Sequence, residues 1–222
     1  MITIRKIIKR DLKRAIRSGG SWAYGLIFML IFLSLSAIAL NGEFATLRKT
    51  GPALIWTAFA FSTLMSADRA LAEDIADGTT GQLWLSGFDY LHQSVAAIIS
   101  FLIINLLPLL LTVPIWSILF DLEAKIVIGL IISIFISLPG LAAYTVFAGA
   151  LTGDSGKASF IAIFISAPLL IPFLIFGLSA TQSYGDAGVN SLEFRVLAGL
   201  SLIALALSIP SSASALRIHT DK

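Results

Sequence analysis

Six stretches without a single Asp, Glu, Lys or Arg divide this chain of 222 residues: 18–42, 50–67, 90–120, 126–153, 158–185 and 196–216. Their lengths are 25, 18, 31, 28, 28 and 21 residues. A helix needs roughly 20 apolar residues to cross the hydrocarbon core of a bilayer. Each run can therefore hold one spanning helix, and the longer ones a loop as well. In lipid no backbone polar group can go unpaired, which restricts such runs to helices or closed barrels. The strict alternation of barrel strands is absent. The sequence predicts an all-α membrane protein with six transmembrane helices, at about 22–40, 50–66, 95–119, 126–149, 158–180 and 196–214. Only 13% of the residues are charged, against roughly 25% in a soluble domain, and the mean hydropathy is +0.93. A soluble catalytic domain is excluded. The absence of cysteine removes disulfide scaffolds, thiolate metal sites and cysteine nucleophiles as well.

The net charge of +2 hides an asymmetry. Arg5, Lys6, Lys9, Arg10, Lys13, Arg14 and Arg17 precede the first run, and Arg69, Lys157, Arg217 and Lys222 fall on the same side, eleven in all. The other side has Arg48, Lys49, Lys125 and Arg195, four in all. The positive-inside rule then puts both termini in the cytoplasm. The basic start and Ala37-Ile38-Ala39 have the look of a cleavable leader, but the apolar run is longer than a leader's and five more follow. It is taken as a retained span. Within residues 1–20, Ile4, Ile7, Ile8, Leu12, Ala15 and Ile16 recur at helical spacing among seven cations. That pattern predicts an amphipathic helix in the headgroup plane, held by apolar burial and anionic membrane lipid. Residues 21–222 are expected to form a single six-span membrane domain.

Proline positions mark the spans. Pro52 is expected to open the second; Pro108 and Pro114 interrupt the third, Pro139-Gly140 the fourth, Pro168 and Pro172 the fifth, and Pro210 the sixth. Apart from His92 at an edge, no ionisable group lies inside a run. Ion-coupled carriers and intramembrane metalloproteases need such groups, so neither class fits, and no metal site is expected. Asn105, Thr112 and Gln182 are expected to make interhelical hydrogen bonds. Residues 151–158, Leu-Thr-Gly-Asp-Ser-Gly-Lys-Ala, echo a phosphate-binding loop, but its first glycine is Leu151 and its Mg²⁺-binding hydroxyl is Ala158. They form a turn between membrane helices, and any ATP must be bound by another chain. His92 and His219 are the only histidines. Each is taken as a solvated polar group, since nothing nearby marks a haem-ligating site.

The segment from Ala67 to Gln93 carries most of the remaining information. Asp68, Glu73, Asp74, Asp77 and Asp89 stand against the single cation Arg69, on the face expected to be positive. Leu71, Ala72 and Ile75 share a helical face, Asp77-Gly78 ends that helix in a left-handed cap, and Thr79 or Thr80 can cap a second helix bearing Leu83, Trp84 and Leu85. A helix-break-helix of this kind suits docking into a groove on a partner protein. It equally suits a solvated interfacial loop.

Here the sequence resembles a known family. Asp74-x-x-Asp77-Gly78-Thr79-x-x-Gln82-Leu83 is similar to the D-x-x-D-G-[ST]-x-E-Q-L signature of the haem exporter protein B (CcmB) permeases of cytochrome c maturation, and more loosely to the first cytoplasmic loop of type 2 ABC exporters. Gly51-Pro52-Ala53-x-Ile55-Trp56, Leu107-Pro108-Leu109, Pro168-Leu169-x-Ile171-Pro172 and Ala213-x-Ala215-Leu216-Arg217 extend the likeness along nearly the whole chain. One departure is Gly81, where the family has glutamate. The resemblance implies a type 2 ABC exporter-like subunit with no catalytic residue and no bound cofactor or metal, in a bacterial inner membrane in preference to a plant mitochondrial one. It implies two copies paired with two cytoplasmic ABC ATPase subunits that bind ATP, beside a haem-handling membrane subunit, with haem as the transported or handled ligand and no nucleic acid. Asp68, Leu71, Asp74, Ile75, Asp77, Gly78, Thr79, Gln82 and Leu83 would form the coupling element seated in the ATPase. Two rivals stay open: a type 2 permease for a lipid, drug or polysaccharide, and a membrane scaffold that transports nothing.

Overall fold

The computed structural model describes residues 3–17, 23–66, 71–153 and 158–220, with backbone alone at 72, 73, 158–163, 165 and 166. Helix is the regular structure throughout these residues. The order is α1 (Ile4–Arg17), α2 (Tyr24–Ala39), α3 (Phe44–Leu64), α4 (Ala72–Ala76), α5 (Thr79–Leu85), α6 (Tyr90–Phe101), α7 (Leu107–Leu119), α8 (Ala124–Thr152), α9 (Ala158–Ala187) and α10 (Leu192–Thr220). A π turn, Leu102–Leu106, joins α6 to α7, and a 3-10 turn, Gly188–Asn190, follows α9. Four stretches are long and apolar enough to cross a membrane: Tyr90–Leu119, Ala124–Thr152, Ala167–Asn190 and Leu192–Thr220. The helix α2 is apolar but has 16 residues, and α3 carries Arg48 and Lys49 in its opening turns.

The core sits around α8, which packs along α9 and α10, while α3 crosses α8 and α9, and α2 lies outside α3. Hydrophobic burial cannot by itself draw helices together in lipid, so small residues and hydrogen bonds must do so. At Gly140 of α8 a Cβ would stand 2.4 Å from Phe173 Cζ and 2.8 Å from Ser201 Cα; only glycine admits that approach. Ser201 Oγ donates to Ile136 O at 2.7 Å, tying α10 to α8. Trp56 of α3 is fully buried. Its Nε1 donates to Ser133 Oγ at 3.3 Å and Thr181 Oγ1 at 3.2 Å, so one indole pins α3 to both α8 and α9.

The prolines do not break their helices. Pro52, Pro114, Pro139, Pro168, Pro172 and Pro210 all lie inside continuous α-helix. Pro52 does not open its helix as expected, because α3 begins at Phe44. Breaking the helix in lipid would strand several backbone groups, whereas continuing it past proline strands one. Pro108 is the exception. It follows the π turn, the wider winding that often marks a local adjustment in a helix. Thr112 Oγ1 donates to Leu109 O at 2.7 Å and lies 3.4 Å from Met29 Sδ of α2. Gln182, expected to bond between helices, is exposed.

The two ends of the bundle are built differently. At one, α2 and α3 meet through Asn41 and Gly42, both at positive φ, and exposed Arg48 pairs with Asp121. At the other, α1, α4 and α5 gather around the start of α6 and the ends of α8 and α10.

Candidate functional site

The helices α4 and α5 form a hairpin whose every turn has a local cause. Asp77 Oδ1 accepts from Thr79 N at 2.9 Å and closes the turn that leads into α5, whose N-cap is Gly78. Gly78 takes φ +72, ψ 8, a left-handed conformation open to glycine at little cost. No atom lies within 4 Å of a Cβ built there, so the requirement is torsional. The expected capping by Thr79 or Thr80 is not what forms. Both lie inside α5, and Thr80 Oγ1 instead donates to Asp74 O at 3.1 Å. The hairpin ends in a Schellman motif: Gly87 N donates to Trp84 O at 2.9 Å, Phe88 N to Leu83 O at 3.0 Å, and Gly87 has φ +80. Its accompanying apolar contact is Leu83 against Phe88, in a cluster with Ile7, Ile4 and Ala96.

This hairpin is seated from four directions. Leu71 is buried in the main core and Ile75 packs against it. Gln93 of α6, also buried, donates through Nε2 to Thr80 O at 3.2 Å and Phe88 O at 2.9 Å. The end of α10 covers Gly81, where a Cβ would stand 3.1 Å from Thr220 Cγ2; a side chain there would press on the Thr220 methyl. His219 Nε2 lies 3.1 Å from Ala150 O; a carbonyl only accepts, so the ring donates and ties α10 to the last turn of α8. A shallow cavity of about 250 Å³ opens among Ile75, Gly78, Thr80, Gly81, His219 and Thr220.

The fourth seat is electrostatic. The Asp74 carboxylate, 17% exposed, receives Arg10 Nη2 and Arg14 Nη1 of α1, each at 2.5 Å. Arg14 Nη2 also stands 3.9 Å from Asp77 Oδ2. Next along α1, Asp11 accepts from Arg10 Nε at 2.9 Å and from Ser100 Oγ of α6 at 2.7 Å. Burial disfavours the charge on Arg10, but Asp74 and Asp11 outweigh it and hold its pKa above the ordinary value. Arg14 is raised by the same balance, with Asp74 as the main support. Asp77 is held below the usual carboxylate range, chiefly by hydrogen bonding from Thr79.

The expected site residues thus divide. Leu71, Asp74, Ile75 and Leu83 are turned inward or half-buried, while Asp77, Gly78 and Gln82 are exposed and Thr79 is half-buried. Asp68 lies outside the described residues. The outward surface also carries two residues expected on this helix but not among the coupling residues: Trp84, 51% exposed and stacked on Tyr90 with ring centroids 6.1 Å apart, and Leu85, 80% exposed. Gln93, Arg10 and Arg14 were likewise missed as parts of this site. His92, on the adjoining turn, is exposed and 3.7 Å from Asp89. Among the described residues no three His, Cys, Asp or Glu side chains come together as a metal site. The arrangement offers a rigid projection with an apolar tip and an acidic edge, which is equipment for contact.

Comparison with known proteins gives one answer. The family model described as CcmB protein matches residues 2–219. The chain is 29% identical to the heme exporter protein B of Paracoccus denitrificans, over 97% of this chain and 99% of that one. It is 29% identical to the protein of the same name from Haemophilus influenzae, over 97% and 98% of the two chains. With the Bradyrhizobium diazoefficiens protein of that name it shares 26% identity over the full length of both.

Proposed function

This chain belongs to the CcmB protein family, and from that premise we propose that it is the membrane permease subunit of an ABC transporter that handles haem during cytochrome c maturation. A separate cytoplasmic ATPase binds and hydrolyses ATP, and docks on the α4–α5 hairpin. Two copies of this chain pair within the complex, beside a haem-handling membrane subunit, in a bacterial inner membrane. Six helices cross the bilayer, α2 and α3 joining the four longer ones, and both termini face the cytoplasm as the eleven-to-four division of Lys and Arg requires. The helix α1 lies at the membrane surface. Its Ile4 and Ile7 pack on the protein, while Leu12 and Ile16, 41% and 72% exposed, together with Lys9, Lys13 and Arg17 meet anionic lipid.

The observation that carries the docking role is the exposed tip Asp77, Gln82, Trp84 and Leu85 on a hairpin braced from every other side. A solvated loop has no reason to hold tryptophan and leucine outward on so rigid a base. Exposed aromatic anchors on pre-organised elements are where binding energy concentrates. The test is co-purification of the ATPase with Trp84→Ala and Leu85→Asp variants from membranes. Each should lower recovery by about tenfold or more, the effect of losing 1.4 kcal/mol or more, with unchanged amounts of this chain in the membrane. Full recovery with both variants would end the docking assignment.

A further inference from the structure

The ion pairs at Asp74 join two elements that the sequence separates by 60 and 64 residues. Nothing in the fold of α4 requires α1 to be there. The hairpin is already held by Leu71 and Ile75 in the core, by Gln93 and by the Schellman turn onto Phe88. Beyond the clamp, α1 does not touch the hairpin alone. Ile7 is buried against Phe88 and Ala96, and Asp11 is bonded to Ser100, so α1 follows α6 from its first turn to its last. The path Asp74 to Arg10 and Arg14, then Asp11 to Ser100, runs from the hairpin to a point just before the π turn at Leu102–Leu106. Each link is a charge-assisted or carboxylate hydrogen bond between 2.5 and 2.9 Å. Such bonds are shorter and stiffer than neutral ones. The α6–π–α7 rod is wound differently at the point where this path reaches it, and π turns are places where a helix can change its winding.

We infer that α1 is the second arm of the coupling element, with Arg10 and Arg14 as positioning residues that carry movement of the α4–α5 hairpin into α1 and, through Asp11 and Ser100, into the membrane rod. This rests on the reading that the ATPase docks on the hairpin, and it goes beyond it. Docking uses the outward tip, Trp84 and Leu85; transmission uses the inward face, Asp74. The two faces separate the two failures. Loss of the clamp leaves the ATPase bound and the complex uncoupled, whereas loss of the tip releases the ATPase.

The experiment uses the whole complex in native membranes, with a single cysteine at Ile16→Cys as reporter, since the chain has no cysteine of its own. Ile16 is 72% exposed on α1. Its labelling rate is expected to differ severalfold between nucleotide-free and ATP–vanadate-trapped complex, and Asp74→Asn should remove the difference while the ATPase still co-purifies. Cytochrome c maturation should fall by roughly tenfold or more in Asp74→Arg, the scale expected when a desolvated charge loses its partner. Asp74→Glu, which keeps a carboxylate for both arginines and leaves the Arg10–Asp11 link intact, should retain most of it. Undiminished nucleotide-dependent labelling in Asp74→Asn overturns the inference, as does loss of the ATPase from that variant. So does full cytochrome c maturation in Asp74→Arg. Trp84→Ala retaining the ATPase would count against the docking surface alone.

Discussion

The two ends of this bundle each hold an arginine–aspartate contact, and the two contacts differ in kind. Arg48 and Asp121 meet with side chains 52% and 55% exposed, at the end closed by the Asn41-Gly42 turn. Asp74 is 17% exposed and shared by two arginines that are 30% and 36% exposed. An exposed pair is screened by water and salt and is worth about 0–1 kcal/mol. A desolvated one matters chiefly through what is left behind when a partner is removed. Counting charges by side, which is all that topology requires, treats these ends as differing in number. The structure shows that they differ in burial. One end is closed by backbone turns, and the other is fastened by largely buried polar bonds.

Gln93 gives the largest test of that difference. Gln93→Leu keeps the side-chain volume close to constant but strips the donor from two carbonyls, Thr80 O and Phe88 O. A buried acceptor left without its donor costs about 1–3 kcal/mol, and two are involved, one of them at the turn that closes α5. The expected result is faster cleavage within residues 77–88 on limited proteolysis of the detergent-solubilised protein, with the membrane core unchanged. Protection equal to the unaltered protein would mean that the hairpin end is no more dependent on buried polar bonds than the opposite end.

Much of the core was legible in the sequence because hydropathy is a property of long runs. The apolar stretches that became α8 and α10 announce themselves over more than twenty residues, and the Asp77-Gly78 pair marks its break by torsional need alone. The site was less legible because its fastenings are single residues. Gln93 sits inside a charge-free run of 31 residues, where one amide does not disturb the average. The partners of Asp74 lie 60 and 64 residues away, a pairing that no periodicity encodes. The N-cap of α5 was placed one or two residues too late, at Thr79 or Thr80 instead of Gly78, because the choice depends on where the glycine turns the chain. The apolar residues of α1 were read as one membrane-facing stripe. The structure splits them, Ile4 and Ile7 against Phe88 and Leu12 and Ile16 outward, since only the tertiary neighbour decides which half is covered.

Asp77 should give an intermediate effect. Its carboxylate accepts from Thr79 N in the turn that leads into α5, and such a hydrogen bond is worth about 0.5–1.5 kcal/mol. Because the folded pKa is depressed, the contribution of the ionised carboxylate is present above the ordinary carboxylate range. It fades as the pH falls through the lower, folded value. The protection of the Thr79 to Gln82 amides, their exchange rate relative to the intrinsic rate at the same pH, should therefore fall on acidification in the unaltered protein and be low at all pH values in Asp77→Ala. Protection in Asp77→Ala that matches the unaltered protein at neutral pH would remove this bond from the forces holding this end.

The smallest effect is expected at the opposite end. Asp121→Ala deletes the partner of Arg48, but both side chains are more than half exposed, and a released guanidinium there is simply solvated. The residue itself stands at φ +52, a conformation that aspartate tolerates better than alanine, so part of any change would come from the backbone. Asp121→Asn separates the two, since asparagine suits that conformation and has no charge. With the charge alone removed, the midpoint of thermal unfolding in detergent should move by no more than the worth of an exposed pair, about 0–1 kcal/mol. Raising the salt concentration should shrink even that difference. A drop of several kcal/mol in Asp121→Asn, insensitive to salt, would show that burial as seen at the two ends does not rank their ion pairs, and the contrast drawn between them would fail.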